Sequence, residues 1–425
     1  MSEVVSDLVR DVPFPKMVRV SQIFPVEKID DIPSSVYKEI CKPYIASTIK
    51  QGKSIAITVG SRGVANIALI TKALVKEIKS FGGQPFVIPA MGSHGGASAE
   101  GQKEILASFG VTEDYIDAPI KATMEVVKVG TTQDGKPVYI DKYAFEADGI
   151  VVLNRIKPHT AFRGPYESGL MKMMTIGLGK QKGAEVCHAE GFKNMAQNVP
   201  AFANVILKNV DILFGIGIIE NAYDETYKIV ALEKDNIPLR EPELLVEAKM
   251  LMAKIKFNSF DVLIVDSIGK NFSGDGMDPN ITGLYGTPYA SGGPEIQKTV
   301  VLDLSDETHG NASGIGLADF TTRRVFKKID FNASYPNALT STVVMGVKIP
   351  MILKNDKEAI AAAIKTCNCM DMKNIKIVRV RNSAYIGDIY ISEALLNVAK
   401  SKSDMEILGE PKEFEFDTNA NLLRF

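Results

Sequence analysis

Tryptophan is absent from the 425 residues, and cysteine and histidine number only four each. Cys41, Cys187, Cys367 and Cys369 are scattered along a long chain, which excludes the disulfide framework of a small secreted domain and leaves free thiols as the expectation. Cys367 and Cys369 are separated by one residue, narrower than the usual pair of a zinc site, and no second pair accompanies them. Cys187 precedes His188, but adjacent helix positions point in different directions, so a buried thiol is the expected role. An excess of charge is also lacking. Lys and Arg total 49 against 51 Asp and Glu, a formal net charge of −2, so there is no basic field for nucleic acid or an anionic membrane. No apolar run is long enough to span a bilayer, and the opening MSEVVSDLVRDVPFPK is broken by charges where a signal sequence would be apolar. These absences together predict a cytoplasmic protein that handles small molecules.

What is present is ample apolar content, 45% of the chain, at a length that suggests two or three domains with sizeable cores. The N-terminal third repeats one theme of strand, glycine turn and helix. Ser54 to Val59 is β-rich, Gly60-Ser61-Arg62-Gly63 turns it, and Ala65 to Phe81 has helical apolar spacing until Gly82-Gly83 stops it. Gln84 to Pro89 repeats the strand, MGSHGGAS the turn, and Ser98 can cap a helix from Ala99 to Phe109. Ile150 to Leu153 reads as a third buried strand, after which Pro158 forbids a helix through Lys157. Such alternation predicts an α/β fold with a mainly parallel sheet covered on both faces. Ligands collect at the carboxyl ends of such strands, and three of those ends carry Arg62, His94 and His159.

Farther on, Val126 to Tyr143 reads as a hairpin around Gln133-Asp134-Gly135, and Ile212 to Leu232 as strands broken near Asn221. A helix from Arg240 to about Lys256 precedes a fresh strand from Phe260, so the boundary is placed near 257, with domains at 1–256 and 257–400. In the second domain, helix Leu317 to Ile329, strand Ile375 to Val380 and helix Ser392 to Lys400 are expected, and the active site is expected in the cleft between the domains. Its glycine loops carry Lys270, Asn271, Asp275, Asp278 and Asn280, and a later one carries His309. They lack the alternate-ligand spacing and closing glutamate of a calcium loop, so Asn280 and His309 are read as substrate-side polar groups.

Two glycine-rich segments invite nucleotide readings, and both fail. GLGKQKG has Gln181 where a phosphate loop needs Ser or Thr, and Met174 where its first glycine belongs. GSRGVA and MGSHGG lack the dinucleotide fingerprint, so an exchangeable nicotinamide is not supported. Gly-Ser-Arg-Gly before a helix does suit an anion, which makes Ser61 and Arg62 candidates for a phosphate or a carboxylate. A surface ion pair for Arg62, and a turn brace for His94, are the plainer alternatives.

The order His94, His159, Lys172, His188, with MGSHGG around the first and KPHTAF…SGLMK…H around the others, resembles the nickel-pincer-nucleotide enzymes typified by lactate racemase. In that family a lysine joins a pyridinium mononucleotide through a thioamide, and a following histidine completes the nickel coordination. The resemblance implies covalent attachment at Lys172, nickel ligation by His188, and an acid/base pair in His94 and His159. It also implies that the cofactor phosphate is an anion Ser61 and Arg62 could hold, and that residues 401–425 pack back on the first domain. The loop from Thr160 to Met171 is longer than is usual in the family. The implied activity is a racemase or epimerase inverting C2 of a 2-hydroxy acid, an isomerase that depends on other proteins to make its cofactor. Hydride removal from C2 avoids a carbanion beside a carboxylate, and a histidine on each side of the substrate supplies a base for either enantiomer. Polar second-domain loops favour a sugar acid such as an aldonate, gluconate for example, over lactate or malate. Rivals of other classes are a zinc hydrolase built on His94, His159 and His188, and a non-catalytic sugar-acid binding protein.

Overall fold

The computed structural model describes residues 3–423. Its strands, in chain order, are β1 Met17–Gln22, β2 Ser54–Val59, β3 Gln84–Pro89, β4 Val126–Thr131, β5 Pro137–Asp141, β6 Gly149–Arg155, β7 Ile212–Glu220 and β8 Thr226–Glu233. They continue with β9 Ser259–Val265, β10 Glu295–Val301, β11 Phe320–Thr322, β12 Met351–Leu353, β13 Ile377–Val380, β14 Asp388–Ser392 and β15 Met405–Ile407. Two compact units form, Pro25–Met252 and the segments up to Phe24 and from Ala253 onward.

In the first unit the sheet order is β3-β2-β6-β7-β8, parallel except for β8. Side chains alternate across β2, so Ile55, Ile57 and Val59 join one apolar cluster and Ala56 the other. Both faces are therefore buried, which is why these strands read as continuous apolar runs. The chain leaves β2 toward β3 and then returns to place β6 on the other side of β2. That reversal opens a crevice at the carboxyl ends of β2 and β6, where ligands gather in open α/β sheets. Helix Ile67–Ser80 occupies the expected stretch, and Ser98 caps helix Ala99–Ser108 by accepting the Gly101 N–H at 3.1 Å. The β4/β5 hairpin is a separate two-stranded sheet turned at Gly135, whose φ is +86°.

The second unit holds an eight-stranded sheet, β12-β11-β10-β9-β13-β14-β1-β15, with β12 through β13 parallel and the last three strands antiparallel. Here the structure departs from the expected domain content at both chain ends. β1 pairs with β14 and β15 and buries Val18 and Val20, so the first described residues and the tail through Leu423 help build the second unit, where the first had been expected. Phe14 meets Phe414 and Phe416 at ring separations of 5.3 and 5.7 Å, an aromatic seal between the two ends. A second difference lies at 317–329, where a single helix was expected. Phe320-Thr321-Thr322 forms the buried strand β11, as its aromatic and β-branched residues prefer, and Thr322 then caps helix Arg323–Lys328.

Arg379 on β13 grips Asp266 with two bonds of 2.8 and 2.7 Å and donates a third to the Leu423 carbonyl at 2.7 Å, fixing the tail. Breaking a buried pair on one side costs about 3–5 kcal/mol, so Asp266→Ala should lower the urea midpoint of this unit correspondingly. A loss below about 1 kcal/mol, the range of exposed pairs, would show that the pair does not hold the sheet.

Candidate active site

The loops after β2, β3 and β6 carry the site. Ser61 follows β2 and shares a hydrogen bond with Nδ1 of His94, which follows β3, so the first two loops are tied side chain to side chain. With Nδ1 committed to Ser61, proton exchange between His94 and a ligand falls to Nε2. The ring is exposed, as a group that meets an incoming ligand should be.

His159 follows β6 in a more enclosed setting. Its backbone N–H donates to Glu167 at 2.8 Å, and the Ala161 N–H donates to Nδ1 at 3.0 Å. A neutral ring held this way carries its proton on Nε2 and presents a donor. Burial first, then the positive charge of Lys172 and Lys157, drives its pKa well below the ordinary histidine value. Glu167 is fully buried and accepts from Arg163 at 3.1 Å and Lys249 at 2.6 Å. Lys157 and Ser168 bond to each other through their backbones, which closes the excursion between them around that carboxylate.

Lys172 ends a short helix, Leu170–Lys172, that widens into a π-helical turn at Met173–Gly177, where Leu178 N–H reaches back to Met173 O at 2.9 Å. Wide turns of this kind are rare and concentrate at functional sites. The turn is anchored from two sides. Asn154 at the end of β6 donates to Gly169 O at 2.8 Å, and buried Glu241 accepts the Met171 N–H at 2.9 Å. A Cβ on residue 169 would stand 2.2 Å from the Glu241 carboxylate, so only glycine admits this approach. The same burial raises the Glu241 carboxyl to about 7, opposed by the amides it accepts from. Burial, with Arg62 second, lowers the Lys172 ammonium to about 7 against the opposing pull of Cys187. An amine near neutrality is a nucleophile, whereas a surface lysine is protonated.

His188 closes helix Lys180–His188 and directs Nδ1 at the Ala184 carbonyl, 2.8 Å away. A carbonyl can only accept, so Nδ1 carries the proton and Nε2 keeps its lone pair, the arrangement usual for a metal-binding imidazole. Burial is the main force lowering its pKa, which keeps that lone pair available. Rings wall this region. His159 and Phe162 lie 4.5 Å apart, Phe162 and Phe192 stack at 6.5 Å, and His188 meets Phe192 edge-on at 5.8 Å. The Lys172 amine sits 5.7 Å from the centre of the Phe162 ring. Cys187 is buried, its thiol pushed up to about 12.

These residues fit a planar, metal-bearing nucleotide joined to Lys172. The wall offers ring faces, Lys172 an amine near neutrality, Arg62 a positive charge, and His188 one nitrogen donor. Among the described residues no group of three or more His, Cys, Asp or Glu could together hold a metal ion. Zinc bound by three histidines therefore lacks its donor set, whereas a metal that arrives with most of its ligands needs only His188. Of the other expected contacts, Asn280 and His309 belong to the second unit. Asn280 donates to Asp278 at 3.0 Å in the turn Pro279–Thr282, and His309 is exposed with a left-handed φ of +48°. Sequence reasoning passed over Asn154, Phe162, Glu167, Phe192 and Glu241. Glu167 alone carried a signal, as the one carboxylate between His159 and Lys172.

Residues 6–199 match the family model of the lactate racemase N-terminal domain, a span that includes Ser61, Arg62, His94, His159, Lys172 and His188. No curated protein matches the chain. Among solved structures, the lactate racemase apoprotein from Thermoanaerobacterium thermosaccharolyticum is similar at 15% identity and a TM-score of 0.49, over 92% of this chain and 96% of that one. A protein from Thermotoga maritima is similar at 13% identity and a TM-score of 0.50, over 83% of this chain and 96% of its own, a likeness of fold.

The lowered pKa has a direct readout. A small amine-acylating reagent should modify Lys172 with half-maximal rate at a pH of about 7, while exposed lysines react only in alkali. Peptide mass spectrometry across pH measures this, and a Lys172 profile that follows the surface lysines would contradict the burial argument.

Proposed function

For a chain whose residues 6–199 match the lactate racemase N-terminal domain, we propose a racemase or epimerase that inverts C2 of a 2-hydroxy acid. Its cofactor on this reading is a nickel pincer nucleotide, joined to Lys172 and ligated through nickel by His188. The observation that carries this reading is the pairing of an amine at about 7 with an imidazole whose Nε2 lone pair is fixed by Ala184. When bound, the group supplies a hydride acceptor, which spares the reaction a carbanion beside a carboxylate.

The chain's own residues supply the rest. His94, steadied at Nδ1 by Ser61, takes the substrate hydroxyl proton at Nε2. His159 presents Nε2–H and in the resting state binds the substrate oxygen as a donor. To serve as the second base it must change tautomer and release the Ala161 amide. Arg62 holds an anion beside Lys172, either the cofactor phosphate or the substrate carboxylate. The polar loops of the second unit, with Asn280 and His309, favour a sugar acid such as an aldonate over a short 2-hydroxy acid. Supply of the cofactor by other proteins, in the cytoplasm, completes the proposal. Among the described residues no helix is long and apolar enough to cross a membrane.

The test uses each C2 epimer deuterated at C2, with protein made alongside the cofactor-synthesis proteins. Inversion should retain the label, His94→Ala should slow it roughly 10²–10⁴-fold, and His159→Asn, which keeps a donor, should lose less than His159→Ala. Exchange of the label with solvent in step with inversion would point to proton abstraction and against this reading.

A further inference from the structure

The GLGKQKG segment is no phosphate loop, yet the first of its two lysines is among the most enclosed charges in the protein. Lys180, fully buried, adopts a left-handed φ of +53° at the junction between the turn after Lys172 and the helix that ends in His188. L residues adopt that conformation rarely, and here the side chain is held at three points. Its amine donates to the Pro89 carbonyl at the end of β3 and to Gln102 Oε1 at 2.8 Å, and it pairs with buried Asp141 at 3.1 Å. Gln102, also fully buried, uses its amide nitrogen on the opposite side. It donates to the Gly92 carbonyl at 3.0 Å and to the His94 carbonyl at 3.2 Å. The His94 loop lies directly on helix Ala99–Ser108, which bears Gln102, since a Cβ at Gly95 would stand 2.7 Å from the Gln102 backbone nitrogen.

We propose that Lys180 and Gln102 are positioning residues, a buried relay that fixes the His94 loop against the segment bearing Lys172 and His188. The relay passes from the Lys180 amine through one amide side chain to the backbone of His94. The Lys180 and Gln102 side chains are both fully buried, so neither can exchange its partner for solvent without a cost. It sets where the base stands relative to the cofactor lysine, and in that respect it rests on the proposed reaction. A displacement near 1 Å at such a site costs about 10²-fold in rate.

The experiment compares Gln102→Leu and Gln102→Glu in the full chain. Gln102→Glu keeps an acceptor for Lys180 and loses the donor to the His94 loop, so it serves also if Gln102→Leu does not fold. Four histidines make the ring NMR signals of the apoprotein assignable, with His94→Asn as the reference. Both variants should move the His94 signals and leave those of His309 in place. In protein with undiminished adduct at Lys172, kcat should fall about 10- to 100-fold at an unchanged KM. His94 signals and kcat like wild type, with only the melting temperature lowered, would reduce the relay to core packing and overturn the proposal. So would shifted signals with kcat intact. If the proposed reaction itself fails, the NMR comparison still decides whether the relay positions His94.

Discussion

Removal of the Lys172 amine from water is the constraint on which the site depends. Ammonium is costly to bury, and with Arg62 adding like charge the group settles at about 7. A lysine in that state has little structural use, because among the described residues it makes no ion pair and it gives up its hydration. Its surroundings nonetheless hold it in place. Asn154 and Glu241 brace the turn it sits on, and the Phe162 ring lies beside it. The same burial lowers the pKa of His159 and of His188, so one environment sets the protonation of the amine and of both imidazoles together.

The fold delivers these groups through one topological event. Because β6 returns past β2 after β3 has been laid down, three loops from distant parts of the sequence meet at neighbouring strand ends. Side-chain bonds then convert proximity into register, Ser61 to His94 across two of the loops and Glu167 to the His159 backbone within the third. The glycines in these loops matter where a Cβ would have no room, as at Gly95 against the backbone of the Ala99–Ser108 helix and Gly169 against the Glu241 carboxylate.

Much of this is legible in the sequence alone. Buried parallel strands write continuous apolar runs, glycine turns mark their ends, and Ser98 sits where a cap must be, so the first sheet and its three loops could be read from local pattern. The order of His94, His159, Lys172 and His188 carried the resemblance to the lactate racemase family. Other features were hidden for a common reason, which is that they depend on partners far away in sequence. β1 finds its neighbours more than 360 residues later, at β14 and β15, and nothing in MVRVSQ announces them. Glu241 looks like an ordinary helix carboxylate until Gly169 lets it reach the amide of Met171. The tautomers of His159 and His188 follow from single backbone groups, Ala161 and Ala184, that only the folded loops bring to the rings. Lys180 had no role in the sequence once GLGKQKG failed as a phosphate loop, and its partners Asp141 and Gln102 come from distant segments.

The central claim is that Lys172 carries the cofactor and His188 holds its nickel. Intact mass and metal analysis of the protein made together with the cofactor-synthesis proteins tests it most directly. The account predicts about one nickel per chain and a mass increase that maps to the peptide containing Lys172. His188→Ala should keep the folded chain and lose the metal. Fully active protein with an unmodified Lys172, or His188→Ala that retains stoichiometric nickel, would contradict the account.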